Sequence, residues 1–72
     1  MTTATAPDPR AFSAALRADG IVCDVEARAA LALIVVPPAA ARRLAIQDTR
    51  RRVLALAREH GFTHVALELL AD

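Results

Sequence analysis

Residues Leu31 to Pro38 read LALIVVPP, six apolar side chains in a row followed by two prolines. A strand with one wet side alternates apolar and polar residues, and this stretch does not. Its two side-chain sets, Leu31, Leu33, Val35 and Ala32, Ile34, Val36, are both fully apolar, so both faces of the strand require cover. The remainder of the chain must supply that cover, and a chain of 72 residues has little to spend. A domain of this size buries only about 60% of the surface its unfolded chain exposes. Its aromatic residues are Phe12 and Phe62 alone, so the core is built from Leu, Val, Ile and Ala. Oligomerisation or docking is the expected source of the missing stability.

The segments flanking that strand have recognisable punctuation. Residues 1–8 contain little to bury and are expected to form a disordered arm, with a single domain over 9–72. Asp8-Pro9 provides an N-cap and a first-turn proline. Ala11, Phe12, Ala15 and Leu16 then recur at helical spacing, and Gly20 provides a left-handed cap. Residues 21–28, IVCDVEAR, alternate: Ile21, Cys23 and Val25 on one side, Val22, Asp24, Glu26 and Arg28 on the other. This is the pattern of an edge strand with one wet side. The short spacing to Leu31 implies a hairpin, although no Asn-Gly or Asp-Gly marks the turn.

After Pro37-Pro38, a turn or short helical piece is expected over 39–46 and the main helix over 48–60, with Asp48 as N-cap and Gly61 at the C-terminal cap. Its inward stripe is Ile46, Thr49, Val53, Leu56, Ala57 and His60. A last strand over 63–70 would turn Val65, Leu67 and Leu69 inward and His64, Ala66 and Glu68 outward. The predicted fold is α+β: a small α-β-β-α-β two-layer sandwich, with a three-stranded mixed sheet and two helices on one face. The LALIVV strand is central, so one of its two apolar faces stays open. Val22, Leu31, Leu33, Val35, Ala66 and Leu70 are the candidate interface there.

Charge excludes some partners. Nine Arg against eight Asp and Glu give a net charge of +1, with no overall pull toward nucleic acid. No apolar run approaches the ~20 residues that span a bilayer, so no membrane partner is expected. The start of the chain lacks the basic and apolar regions of a signal peptide, and a lone Cys23 forms no internal disulfide; both lead to a cytoplasmic expectation.

Three constellations are candidates for chemistry. Arg42, Arg43, Arg50, Arg51 and Arg52 could bind an anion or nucleic acid, but no aromatic side chains accompany them, and the solvated outer face of an amphipathic helix is the favoured account. His60 and His64 are separated by Gly61 and do not share a helix face, so no metal site is expected. Cys23 is predicted to be buried and inert, its pKa raised. Asp24 and Glu26 share a strand face, where carboxylates discourage edge-to-edge pairing. With His64 they could instead complete an enzyme site in trans.

One resemblance spans residues 10–69. Leu16-Arg17 with Gly20-Ile21, then Val36-Pro37-Pro38, then Gly61-Phe62 with Val65, Leu67, Glu68 and Leu69 resemble the C-terminal domain of the LarE family. These are ATP-dependent sacrificial sulfur transferases built on a PP-loop ATP-pyrophosphatase domain. The chain departs from the family at its basic and acidic positions. An Arg-x-Arg pair of the family's first strand is replaced by Asp24 and Glu26, and an Ala-Arg-Ile-Glu of its second by Ala32-Leu33-Ile34-Val35. Cys23 does not match the family's sulfur-donating cysteine. The resemblance implies a freestanding accessory domain without the PP-loop domain. Such a subunit would be non-catalytic and bind no cofactor itself, leaving ATP and Mg to a partner. It would dock on itself as a homo-oligomer or on a PP-loop ATPase subunit.

Overall fold

The computed structural model describes residues 6–70. Leu31–Val36 forms the middle strand, β2, of a three-stranded sheet in the order β1-β2-β3. β1, Asp24–Arg28, pairs antiparallel with it, and β3, His64–Leu69, pairs parallel. Three helices, α1 (Pro9–Ala18), α2 (Pro38–Leu44) and α3 (Gln47–Glu59), supply the rest of the core. Of the two apolar sets of β2, Ala32, Ile34 and Val36 are fully buried, whereas Leu31, Leu33 and Val35 are half-buried. Phe12 and Leu16 of α1, Ile21 and Cys23 ahead of β1, Ala40 and Leu44 of α2, Val53 and Ala57 of α3, and Phe62 complete the cluster. The Phe12 and Phe62 rings lie 5.6 Å apart at its centre. This is a small α+β fold with helices on one side of a mixed sheet.

Two helices end on the same device. The Gly20 amide donates to the Arg17 carbonyl and the Ile21 amide to the Leu16 carbonyl, both at 2.9 Å, with Gly20 at φ +83°. At the end of α3, Gly61 (φ +89°) donates to Arg58 and Phe62 to Ala57. This is the Schellman arrangement, in which glycine reverses the chain and the following apolar residue turns inward. Ile21 and Phe62 are both buried, so the Gly-Ile and Gly-Phe pairs aim the chain back at the sheet.

At the start of α1, Asp8 caps the helix as expected, its carboxylate accepting from the Ala11 amide at 3.1 Å. The Asp8 amide also donates to the His60 carbonyl at 3.0 Å, so Asp8 belongs to the fold and not to the arm predicted over 1–8. Residues 1–5 of that arm, and 71–72 of the predicted domain, lie outside the described residues.

The structure corrects four details. The turn or short helical piece expected over 39–46 is a full helix, α2, so the described residues hold three helices where two were expected on the sheet. A single straight helix from Pro38 to Glu59 would run roughly 33 Å, against roughly 20 Å for a six-residue strand. Breaking it at Ala45-Ile46 lets both halves stay over the sheet. Ile46, extended at φ −71° and ψ 128°, is the N-cap of α3, and Asp48 falls in its first turn instead. Ile46 therefore leaves the predicted inward stripe and is 57% exposed. β1 begins at Asp24 and not at residue 21, because the next positions on its partner reach Pro37, which has no amide to donate. Of the inward trio predicted on β3, Val65 is half-buried, but Leu67 and Leu69 are exposed. The helices centre on β2 and leave the outer end of β3 uncovered.

Candidate functional site

The side of the sheet away from the helices carries the candidate site, and register defines it. Asp24 of β1 pairs with Val35, Glu26 with Leu33, and Arg28 with Leu31. From the other side Glu68 pairs with Val35, Ala66 with Leu33, and His64 with Leu31. Paired residues share a face, so three rows cross the open side: Asp24–Val35–Glu68, Glu26–Leu33–Ala66 and Arg28–Leu31–His64. The centre column is aliphatic and the edges are charged or polar except at Ala66.

The structure brings all six residues of the predicted interface to this side. Leu31, Leu33, Val35 and Ala66 are half-buried in the middle of the face. Val22 is 67% exposed between buried Ile21 and Cys23, and so points away from the core. Leu70 continues β3, its amide donating to the Val36 carbonyl at 2.9 Å, and is exposed. Val22 and Leu70 extend the apolar surface beyond the Asp24–Glu68 row.

Around the face, ion pairs are loose. Arg28 lies 3.7 Å from Glu26 along the same strand, and Arg17 of α1 reaches across the sheet edge to within 3.9 Å of Asp24. All four side chains are more than half exposed, so water and salt screen both pairs. Asp24 and Glu26 lie on one edge strand and His64 on the other, roughly 10 Å away across β2. His64 shares its ring nitrogen Nδ1 with the Thr63 hydroxyl at 2.9 Å.

The arginines predicted as one cluster divide. Arg43 donates to the Gly20 and Asp19 carbonyls, and Arg52 makes a two-point contact with the Asp19 carboxylate, its Nη2 at 3.0 Å from Oδ1. These two clamp the end of α1. Arg42, Arg50 and Arg51 remain exposed on α2 and α3. The Arg52 hydrogen bonds hold the Asp19 carboxyl below the usual carboxylate range. Burial pushes the Cys23 thiol up, against a smaller opposing pull from Arg17. Cys23 is therefore a buried thiol of the core, as its strand alternation predicts. His60 is the C-cap of α3 and packs on Phe12 with ring centres 6.1 Å apart; His64 is on the open face, so the two histidines serve different surfaces.

One surface escaped the sequence reading. A shallow groove of ≈180 Å³ between α3 and β3 is lined by Leu44, Arg50, Val53, Leu54, Val65 and Leu67. The exposed part of its apolar wall is Leu54 and Leu67. The parity of β3 marks Leu67 as inward, but only the placement of the helices shows that it is uncovered. No helix among the described residues is long and apolar enough to cross a membrane. Set beside known proteins, the chain matches no family model, no curated protein and no solved structure.

Proposed function

We propose that this chain is a non-catalytic assembly subunit that docks through the open face of its sheet, onto a second copy of itself or onto a separate PP-loop ATP-dependent enzyme of the sulfur-transfer type. The observation that carries the reading is the aliphatic centre column. Leu31, Leu33 and Val35 occupy the middle of a sheet whose helices all lie on the other side. A sheet face left to water in a monomer has reason to be polar, and contiguous apolar surface marks contact with a partner. The PP-loop partner is supported by the residues that resemble the LarE accessory domain, and the position of the departures supports docking. Leu33 and Val35, which stand where that family has charged side chains, are two of the three residues in the centre column. The Arg clusters favour a second reading less, because Arg43 and Arg52 are engaged in holding the end of α1.

The test is capture from the native host with the wild-type chain, Leu33→Asp and Val35→Asp, each checked for folding by circular dichroism. The wild type is expected to recover itself or a PP-loop ATPase in near-stoichiometric amount, and both variants to lose it. Recovery unchanged in both folded variants would remove the open face from the account. RNA recovered with the wild type, in a salt-sensitive manner, would transfer the function to the arginines.

A further inference from the structure

The charges on the open face are polarised along the strands. One end row carries Asp24 and Glu68, and the opposite end row carries Arg28 and His64, two residue pairs away. A face of this kind is complementary to itself in only one of two simple two-fold arrangements. Two sheets stacked face to face are exchanged by an axis lying between them. If the axis ran along the strands, each row would meet its own copy, and Asp24 would oppose Glu68 twice. If it runs across the strands, through the Glu26–Leu33–Ala66 row, each acidic end meets a basic end.

Building on the docking reading, we infer that the occupant of the open face is a second copy of this chain, related by a two-fold axis across the strands at Leu33. Leu33 then meets its symmetry mate, Leu31 meets Val35, Asp24 meets Arg28, and Glu68 meets His64, whose imidazole can donate to a carboxylate. The result is a four-layer helix–sheet–sheet–helix dimer with an aliphatic centre and polar rims. The one like-charge meeting is Glu26 with its mate at the rim, and each of these carboxylates has Arg28 at 3.7 Å. Arg28 is exposed and has donors to spare for Asp24 of the second copy. Three strands and four residue pairs give a face of roughly 14 by 27 Å, or roughly 400 Å². That is half of the ~800 Å² per partner in a standard interface. The dimer therefore exchanges with monomer at accessible concentrations, which makes its charge dependence measurable.

The experiment is sedimentation equilibrium over a concentration series, at low salt, on the wild type, Arg28→Glu, Asp24→Arg, and an equimolar mixture of these two variants. Each variant alone places like charges opposite one another twice, and its dimer dissociation constant is expected to rise roughly tenfold or more. In the mixed dimer every such contact is again between opposite charges, so the mixture is expected to recover wild-type association. Both positions are exposed, and urea midpoints near the wild-type value show that the fold is retained. A mixture no tighter than either variant would overturn the inference. So would tightening by Asp24→Arg alone, the result demanded by an axis along the strands, where Asp24 meets Glu68. A wild type that stays monomeric throughout the series would also overturn it, while leaving the docking reading to the capture experiment with Leu33→Asp. Loss of capture there with no self-association would mean a different protein covers the face.

Discussion

Asp19 shows how side chains far apart in sequence secure a vulnerable backbone. It is the C-cap of α1, where the exposed carbonyls of the helix end disfavour a negative charge. Arg52, from α3, supplies a two-point contact to its carboxylate, and Arg43, from α2, binds the neighbouring carbonyls. In the sequence these arginines look like part of one solvated stripe. Nothing in local spacing pairs Arg52 with a residue 33 positions earlier, so this contact was not legible. Cys23 was legible, because strand alternation alone places it with Ile21 and Val25. The Asp19 contact makes a pH-dependent contribution. A carboxyl whose folded-state pKa is depressed stabilises fully above its unfolded value, near pH 4, and loses that contribution as pH falls through the depressed value. Thermal melts should therefore show Asp19→Asn less stable than wild type at pH 7, with the gap closing as the pH is lowered below the unfolded-state value near 4. A gap that stays constant with pH would mean that the Asp19 charge is not what the arginines hold.

At the scale of elements, the chain is legible wherever a periodic pattern meets strong punctuation. Asp8-Pro9 and Gly20 bracket α1, the double proline ends β2, and Gly61 ends α3. Two places lack such punctuation and are read from spacing alone: the short helical piece ahead of the main helix, and the β1–β2 hairpin. No Gly or Pro interrupts residues 39–60, and the break at Ala45-Ile46 comes from the length of sheet available to the helices. The β1–β2 connection is Ala29-Ala30, with Ala29 in the left-handed region at φ +53°. An alanine there costs about 1 kcal/mol relative to a relaxed backbone. The turn is retained because the Ala30 carbonyl accepts from the Thr63 and His64 amides at 2.9 and 3.2 Å, tying the hairpin to the start of β3. Ala29→Gly should raise stability by about 0.5 kcal/mol, relief of strain outweighing the extra freedom glycine gives the unfolded chain. Urea denaturation is the measurement, and a lowered midpoint with unchanged slope would show that the turn carries no strain worth relieving.

For the whole molecule, the governing fact is that a three-stranded sheet has two sides and the described residues supply helices for one. The six uninterrupted apolar residues of Leu31–Val36 announce a strand with two apolar faces, and the structure shows which of them the helices cover. The six candidate interface positions follow from alternation once β2 is central, and they do fall on one side. The three charged rows were not legible, because they depend on the register of β3 against β2, which no local signal in the sequence sets. Nor was the exposure of Leu67 and Leu69, which depends on how far the helices extend. The segments on which the proposed LarE-type partner rests have structural duties of their own: Gly20-Ile21 and Gly61-Phe62 form the helix exits, and Pro37-Pro38 ends the strand. Leu33 and Val35, the positions that proposal takes as apolar departures, lie on the open side. The most direct measurement is a dilution series on the full chain by methyl NMR, read again with any protein recovered by capture. The methyls of Leu31, Leu33, Val35 and Leu70 should shift with concentration or on addition of that protein, while those of Ile46 and Leu54 on the helix side stay fixed. Shifts confined to Ile46, Leu54 and Leu67, or an open face that responds to neither, would contradict the account.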